Sequence, residues 1–134
     1  MTPKQITDEI SVSPQIDPED LADIKALGFK SVICNRPDGE SPDQPSYEEI
    51  AAAAAAAGLE IRNLPIVSGG MTQHDVDAFA AAMEDLPKPV FAYCRSGTRC
   101  ATAWAFSQAK TRPANEILEQ TAAAGYDLRS LFGQ

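Results

Sequence analysis

The residues best suited to chemistry lie in one short segment, residues 94–99, which reads Cys-Arg-Ser-Gly-Thr-Arg. The apolar stretch before it, residues 90–93, predicts a buried strand, and the residues after Arg99 predict a helix. The free N–H groups and the dipole at the start of a helix attract anions. A thiol placed there beside two arginines loses its proton more readily than a free cysteine does. The segment therefore predicts a nucleophilic Cys94 in an anion-binding loop.

Two further residues of this loop support that interpretation. Arg99 offers the paired N–H donors that bind an oxyanion, and Gly97 allows the backbone to turn its amides inward. The alternative is a buried cysteine that only ends a strand, because cysteine is common in protein cores. The arginines and the glycine around Cys94 favour the catalytic interpretation.

Length and composition predict a single globular domain over residues 1–134. A net charge of −8 argues against a general nucleic-acid binder or a protein that binds anionic membranes, but it permits a small anionic substrate. No apolar stretch approaches the ~18 residues of a membrane span, and the first residues do not resemble a signal peptide. Three cysteines without such a signal predict a cytoplasmic protein with free thiols. No ligand spacing predicts a metal site, and we expect no cofactor.

Strand and helix patterns alternate along the chain, which predicts a parallel-rich sheet with helices on both faces. Ligands of such sheets bind beyond the carboxyl ends of the strands, where Cys94, the loop after Cys34 and the loop after Leu64 are expected to meet. Residues 9–13, 31–34, 60–64 and 90–93 are the predicted strands. Helices are predicted at residues 18–27 with Asp17 as N-cap, after Ser46 with Glu49 as its capping-box partner, from Thr72 to about residue 85, after Arg99, at residues 114–124, and as a short turn within 126–132.

Three segments together resemble a known family. They are residues 94–99, residues 33–40 (Ile-Cys-Asn-Arg-Pro-Asp-Gly-Glu) and residues 58–65 (Gly-Leu-Glu-Ile-Arg-Asn-Leu-Pro). The chain resembles the bacterial phosphatase-like domain (DUF442) that is found fused to metallo-β-lactamase-like enzymes. This resemblance implies an α/β fold like that of the dual-specificity and tyrosine phosphatases. Such a fold has three α-β-α layers and a central, mostly parallel four-stranded sheet. Strand 90–93 would lie between strands 9–13 and 31–35, with 60–64 outermost.

The resemblance also implies roles for individual residues. Cys94 would be the nucleophile and Arg99 the phosphate-binding arginine, while Arg95, Ser96, Gly97 and Thr98 would supply backbone amides to the anion. The substrate would be a small anion, either a phosphate ester or a sulfane-sulfur donor. A separate metallo-β-lactamase-like hydrolase is the one protein partner that the family suggests, and the oligomeric state stays open.

The loop also departs from the phosphatase pattern. Four residues separate Cys94 from Arg99 where phosphatases have five, and the shorter spacing is similar to that of rhodanese sulfurtransferases. No aspartate follows the third strand as general acid; Asp75 is the nearest, and a helix cap is its more natural role. Three functions therefore stay open: a phosphatase acting through cysteinyl phosphate, a sulfurtransferase acting through a Cys94 persulfide, and a non-catalytic anion-binding or redox-sensing module.

Two other thiols are candidate redox or sulfur-relay partners of Cys94. Cys100 occupies the position after the loop arginine, and Cys34 ends a neighbouring strand at the same predicted edge. The alternative for Cys100 is that it only fills space in the first helical turn. His74, the single histidine, is expected to be solvated at a helix start.

Overall fold

A five-stranded mixed sheet forms the centre of the protein in a computed structural model that describes residues 1–133. The spatial order of the strands is β1-β2-β5-β3-β4; β1 is antiparallel to β2, and all other neighbours are parallel. This order confirms the expectation that the cysteine strand is central and that the strand near residue 60 is outermost. The strands are β1 (Lys4–Thr7), β2 (Ile10–Ser13), β3 (Ser31–Cys34), β4 (Glu60–Asn63) and β5 (Val90–Tyr93).

The prediction of a four-stranded sheet was wrong by one strand, β1. This strand lies at the sheet edge and contributes a single buried side chain, that of Ile6. Its pairing with β2 also shifts register between Gln5 and Thr7. A short edge strand with one core residue has no alternating apolar pattern, so the sequence pattern does not predict it.

Within residues 1–133, five α-helices and one short 3₁₀ helix cover the sheet. The predicted capping boxes are confirmed: Ser46 with Glu49 begins one helix, and Thr72 with Asp75 begins another. The α-helices are α1 (Asp20–Ala26), α2 (Tyr47–Ala56), α3 (Gln73–Asp85), α4 (Thr98–Gln108) and α5 (Ala114–Ala123), and the 3₁₀ helix is Arg129–Phe132. None of the helices in residues 1–133 has the length and apolar character of a membrane span.

The start of α1 differs from the prediction. Asp17 does not cap the helix with its side chain, and the regular helix begins two residues later than expected, at Asp20. The Asp20 carboxylate instead accepts a hydrogen bond from the Asp17 amide at 2.8 Å, while the Asp20 amide donates to the Asp17 carbonyl at 2.9 Å. The acidic residues thus stabilise the turn that precedes the helix.

The sheet separates two apolar clusters, one on each face. The α1–α2 face contains Phe91 and Tyr93 of β5, whereas the face covered by α3, α4 and α5 contains Val90 and Ala92. Alternate residues of a strand point to opposite faces, so a fully buried strand such as β5 serves both clusters. Trp104 of α4 is buried in the second of these clusters.

Candidate functional site

Cys94 is held where β5 passes into α4. Its amide donates to the Ser13 carbonyl of β2 at 3.3 Å, which fixes the start of the loop on the sheet. The loop then turns through Gly97, which adopts φ +92° and is the N-cap of α4. The Gly97 amide donates to the Cys94 sulfur at 3.1 Å. The predicted strand, loop and helix are therefore present, with an amide directed at the sulfur.

Gly97 is required here for two independent reasons. Its left-handed backbone conformation is strained for residues with a Cβ atom. A Cβ at this position would also collide with the hydroxyl of Tyr126. That hydroxyl donates to the Ser96 carbonyl at 3.0 Å and so braces the loop from the segment after α5. Sequence reasoning did not find Tyr126, because nothing local links it to a loop 30 residues earlier.

The environment of Cys94 favours its thiolate. The pKa of Cys94 is lowered to about 5, chiefly because the Cys100 thiol donates a hydrogen bond to its sulfur. The amides of Cys100, Ser96 and Gly97 contribute further hydrogen bonds, against the opposing effect of burial. Two of these three amides, those of Gly97 and Cys100, lie at the N-cap and in the first turn of α4. Amides at the start of a helix have no hydrogen-bond partner within the helix, so they are free to bind the sulfur. Cys94 is therefore ionised at neutral pH.

The other two thiols have pKa values raised by burial. Cys100 is completely buried, and the adjacent negative charge on Cys94 raises its pKa further. Burial likewise raises the pKa of Cys34, whose S–H donates to the Arg36 carbonyl at 3.4 Å. Cys94 is thus the one cysteine of the three whose surroundings stabilise a negative charge.

Arg99 lies at the same loop but is bound to Glu40 in a bidentate ion pair. Its two terminal nitrogens donate to the two carboxylate oxygens at 2.7 and 2.9 Å, and Nη1 also donates to the Ile66 carbonyl at 2.8 Å. The pKa of Glu40 falls to about 2, with the hydrogen bond from Arg99 as the main cause. The predicted meeting of the loops after β3, β4 and β5 is therefore centred on Arg99.

Arg36 extends this network beneath the surface. Its Nε donates to Glu40 at 2.9 Å, and its Nη1 donates to the Gln15 side chain at 3.1 Å. The Arg36 side chain is only 6% exposed. One carboxylate thus serves two guanidinium groups, so the cluster keeps a net positive charge although the whole chain is acidic.

A cleft of about 580 Å³ opens over the loop and the segment after β4. Apolar, hydroxyl-bearing and cationic side chains line it, and among residues 1–133 no lining residue has a carboxylate or an imidazole group. Cys94 itself is fully buried beneath its neighbours. The lining residues are Ile66, Val67, Ser68, Gly69, Met71, Arg95, Ser96, Thr98, Arg99, Thr102, Phe106 and Leu131.

Some residues considered from the sequence lie outside this cleft. Asp75 is occupied at the start of α3, where its carboxylate accepts from the Thr72 amide at 2.9 Å. His74 is exposed at the same helix start. Among residues 1–133, no cluster of three or more His, Cys, Asp or Glu side chains is arranged to bind a metal ion.

Residues 3–111 match the family model described as "Beta-lactamase hydrolase-like protein, phosphatase-like domain". The chain belongs to this family. One relative, the beta-lactamase hydrolase-like protein of Agrobacterium fabrum, is 36% identical over 105 residues. That match covers 78% of the domain described here but only 24% of the relative, so the chain spans about a quarter of the relative's length.

Solved structures show the same fold. NMA1982 of Neisseria meningitidis, a candidate phosphatase, is 35% identical with a TM-score of 0.85, over 95% of this chain and 91% of the other. A candidate phosphatase (DUF442) of Shewanella putrefaciens has a TM-score of 0.75 at 20% identity, covering 98% and 82%. Pseudomonas aeruginosa TpbA, crystallised with phosphotyrosine, has a TM-score of 0.62 at 17% identity, covering 91% and 73%. The domain therefore has the fold of the tyrosine-phosphatase-like proteins.

We expect Gly97→Ala to destabilise the domain more than Gly125→Ala does. Both glycines have positive φ, +92° for Gly97 and +100° for Gly125, but only a Cβ at position 97 meets other atoms within 4 Å. The left-handed backbone alone costs about 1–2 kcal/mol, which both variants share. Urea unfolding of the two variants measures the difference, and equal losses of stability would contradict a close contact with Tyr126.

Glu40→Gln should lower the free energy of unfolding at pH 7 by about 1–3 kcal/mol, because it removes the charge that two guanidinium groups share. Glu116→Gln is the matched control, since Glu116 pairs with Arg112 at a more exposed site and should cost less than about 1 kcal/mol.

The difference in unfolding free energy between wild type and Glu40→Gln should depend on pH. The pKa of Glu40 falls from an ordinary 4.5 to about 2 in the folded protein, so its contribution is complete above pH 4.5. It is lost as the pH falls from 4.5 through 2. The stability difference between wild type and Glu40→Gln should shrink over that range, and a constant difference would show that the carboxylate is not ion-paired.

Cys94 should react with iodoacetamide with a midpoint near pH 5, well below the ~8.5 of a free cysteine. Cys100→Ala should raise this midpoint because the S–H donor is lost, whereas Cys100→Ser should keep it low because a hydroxyl can still donate. Mass spectrometry identifies the labelled residue. If Cys34 or Cys100 is alkylated before Cys94 at pH 6, the assignment of the nucleophile is wrong.

Proposed function

We propose that this domain is a phosphatase-like hydrolase in which the Cys94 thiolate attacks phosphorus. The observation that supports this most is the arrangement at Cys94: the Gly97 amide donates to its sulfur at 3.1 Å, the pKa of its thiol is lowered to about 5, and Arg99 lies on the same loop. Attack forms a sulfur–phosphorus bond and breaks the bond to the ester oxygen, which leaves with the organic group. Water then hydrolyses the cysteinyl phosphate and regenerates the thiolate.

Arg99 would hold the phosphoryl oxygens during both steps. Its two terminal nitrogens already bind two oxygens of one planar group, the Glu40 carboxylate, in the geometry that also suits phosphate. Substrate binding would replace Glu40 as the partner of Arg99, and it must also make the buried Cys94 sulfur accessible from the cleft. The amides of residues 95–98 would stabilise the remaining charge on the transferring group.

The cleft favours an organic ester over inorganic phosphate compounds. Val67 and Leu131 are two large apolar side chains that stay exposed, at 66% and 48%, and both line this cleft. Met71 and Phe106 add apolar surface beside them. An aryl group could bury these surfaces while its phosphate reached the loop.

The chemistry of the lining residues also favours substrates with a good leaving group. No carboxyl or imidazole group of the described residues 1–133 lines the cleft to protonate a leaving oxygen, and Glu40 stays ionised because its pKa is about 2. Asp75 is engaged in its capping box. A phenolate leaves without such help far more readily than an alkoxide, so aryl phosphates are the proposed substrates.

A sulfurtransferase is the second candidate, favoured by the four-residue spacing and by the same lack of an acid. The thiolate would attack the sulfane sulfur of thiosulfate and release sulfite, leaving a Cys94 persulfide. Cyanide would then remove the outer sulfur as thiocyanate and regenerate the thiolate. Neither step needs a proton for a leaving oxygen.

Parallel assays on one preparation distinguish the two functions. We expect wild type to hydrolyse 4-nitrophenyl phosphate in a vanadate-sensitive manner, Cys94→Ser to be inactive, and Asp75→Asn to retain wild-type rates. A loss of about 10²–10⁴-fold in Asp75→Asn would instead identify it as the general acid. Thiocyanate formation without phosphate release would replace the hydrolase by the sulfurtransferase. Sulfate binding with neither activity would leave an anion-binding module.

Within the longer relatives this domain is one part of the protein. We propose that the chain acts in the cytoplasm, where its three free thiols stay reduced, beside a metallo-β-lactamase-like hydrolase. Co-purification of the two proteins from one host tests this pairing, and a domain recovered without any such hydrolase would contradict it.

A further inference from the structure

Arg95 differs from the other arginines of the chain because its side chain has no ionic partner. Each of the others forms an ion pair with a carboxylate; they are Arg36, Arg62, Arg99, Arg112 and Arg129. Within residues 1–133 the Arg95 guanidinium group forms neither an ion pair nor a hydrogen bond, although the chain has 19 acidic residues. The acidic side chains thus neutralise every arginine of the described chain except the one that follows Cys94.

The backbone at Arg95 is fixed from two sides, whereas its side chain is free. The Gln15 amide donates to the Arg95 carbonyl at 3.3 Å, and the Tyr126 hydroxyl donates to the next carbonyl, that of Ser96, at 3.0 Å. The Arg95 side chain is exposed and lines the cleft of about 580 Å³ over the loop. A long cationic side chain therefore extends from a fixed point beside the anion-binding loop.

The cleft contains no negative charge that could neutralise Arg95. None of its lining side chains is acidic in the part of the chain that the structure describes, residues 1–133. The second cation of the cleft, Arg99, is bound to Glu40 and would hold the phosphoryl oxygens in the proposed reaction. Arg95 is therefore the cation that stays available to another group of the substrate.

The same cleft can also hold the body of an organic ester. Val67 and Leu131 expose apolar surface to it, at 66% and 48%. A ligand with an aromatic ring can bury this surface while its phosphate lies at the loop and a further charged group lies against Arg95. Ring, phosphate and second charge would then each have a matching part of the cleft.

We propose that Arg95 is a specificity-determining residue that binds a carboxylate group of the substrate. The substrate class is thereby narrowed to aryl phosphates that also carry a carboxylate. One guanidinium group balances the single charge of a carboxylate and matches its two oxygens. A second phosphate group would bring up to about two charges, and among residues 1–133 Arg95 and Arg99 are the only cations that line the cleft. The inference rests on the proposed function for the position of the phosphate.

Calorimetric titration of Cys94→Ser in the full 134-residue chain measures binding without turnover. The probes are N-acetyl phosphotyrosine and N-acetyl phosphotyrosinamide, which differ only in that a neutral amide replaces the carboxylate. We expect the carboxylate probe to bind about three- to tenfold more tightly, as an ion pair in a partly screened cleft allows. The preference should shrink when the salt concentration is raised, because salt screens an exposed charge.

Substitutions of Arg95 in the same Cys94→Ser background identify the group that recognises the carboxylate. Arg95→Gln should bring the affinity ratio of the two probes close to one, and Arg95→Lys should keep part of the preference because it retains the charge without the paired donors. Arg62→Gln is the matched control, since it removes the same charge from an exposed ion pair outside the cleft and should keep the ratio. A ratio near one in Cys94→Ser, or a preference that Arg95→Gln retains, would overturn the proposal.

Turnover of the two probes by wild type separates this inference from the proposed function. If wild type releases phosphate from both probes but Cys94→Ser binds them equally, the hydrolase is supported and the role of Arg95 is overturned. If binding prefers the carboxylate probe through Arg95 and wild type releases no phosphate, the specificity role is supported and the hydrolase is contradicted.

Discussion

The site depends on a negative charge that is buried at the end of β5. An unpaired charge in a protein interior is costly, and Cys94 is fully buried. The loop compensates by directing the Gly97 amide at the sulfur, and hydrogen bonding from Cys100 and Ser96 helps to lower the pKa of the Cys94 thiol. The left-handed turn at Gly97 makes this arrangement feasible, because it lets α4 begin immediately after the loop.

A second constraint joins the loops at the carboxyl edge of the sheet. Glu40 comes from the loop after β3, Ile66 from the segment after β4, and Arg99 from the start of α4, and all three meet through one guanidinium group. Arg36 supports the carboxylate from below. The ion pair between Arg99 and Glu40 stabilises this edge of the sheet. It also occupies the Arg99 guanidinium group, which an anionic substrate would need, so one contact connects stability with binding.

Local sequence patterns were sufficient to predict most of the helices and strands. The capping boxes at Ser46 and Thr72 and the alternation of strands and helices are encoded within a few residues, and the order of the sheet followed from the family resemblance. The loop itself could be recognised because its cysteine, glycine and arginine are adjacent in sequence.

Contacts between distant segments could not be derived in the same way. The partners Glu40 and Arg99 are 59 residues apart, and the brace from Tyr126 reaches back 30 residues. The sequence also could not predict to which face of the sheet Cys34 points. All four residues of β3 are buried, so its sequence shows no alternation of apolar and polar residues. Only the register with β5 separates Cys34 from Cys94.

A crystal structure of the domain grown with tungstate, a tetrahedral anion that mimics phosphate, tests the central claim most directly. We predict tungstate at the amides of residues 95–99, with Arg99 turned from Glu40 to the anion. A saturated crystal in which tungstate avoids the loop, or in which Arg99 keeps both hydrogen bonds to Glu40, would contradict an anion-binding site built around Cys94.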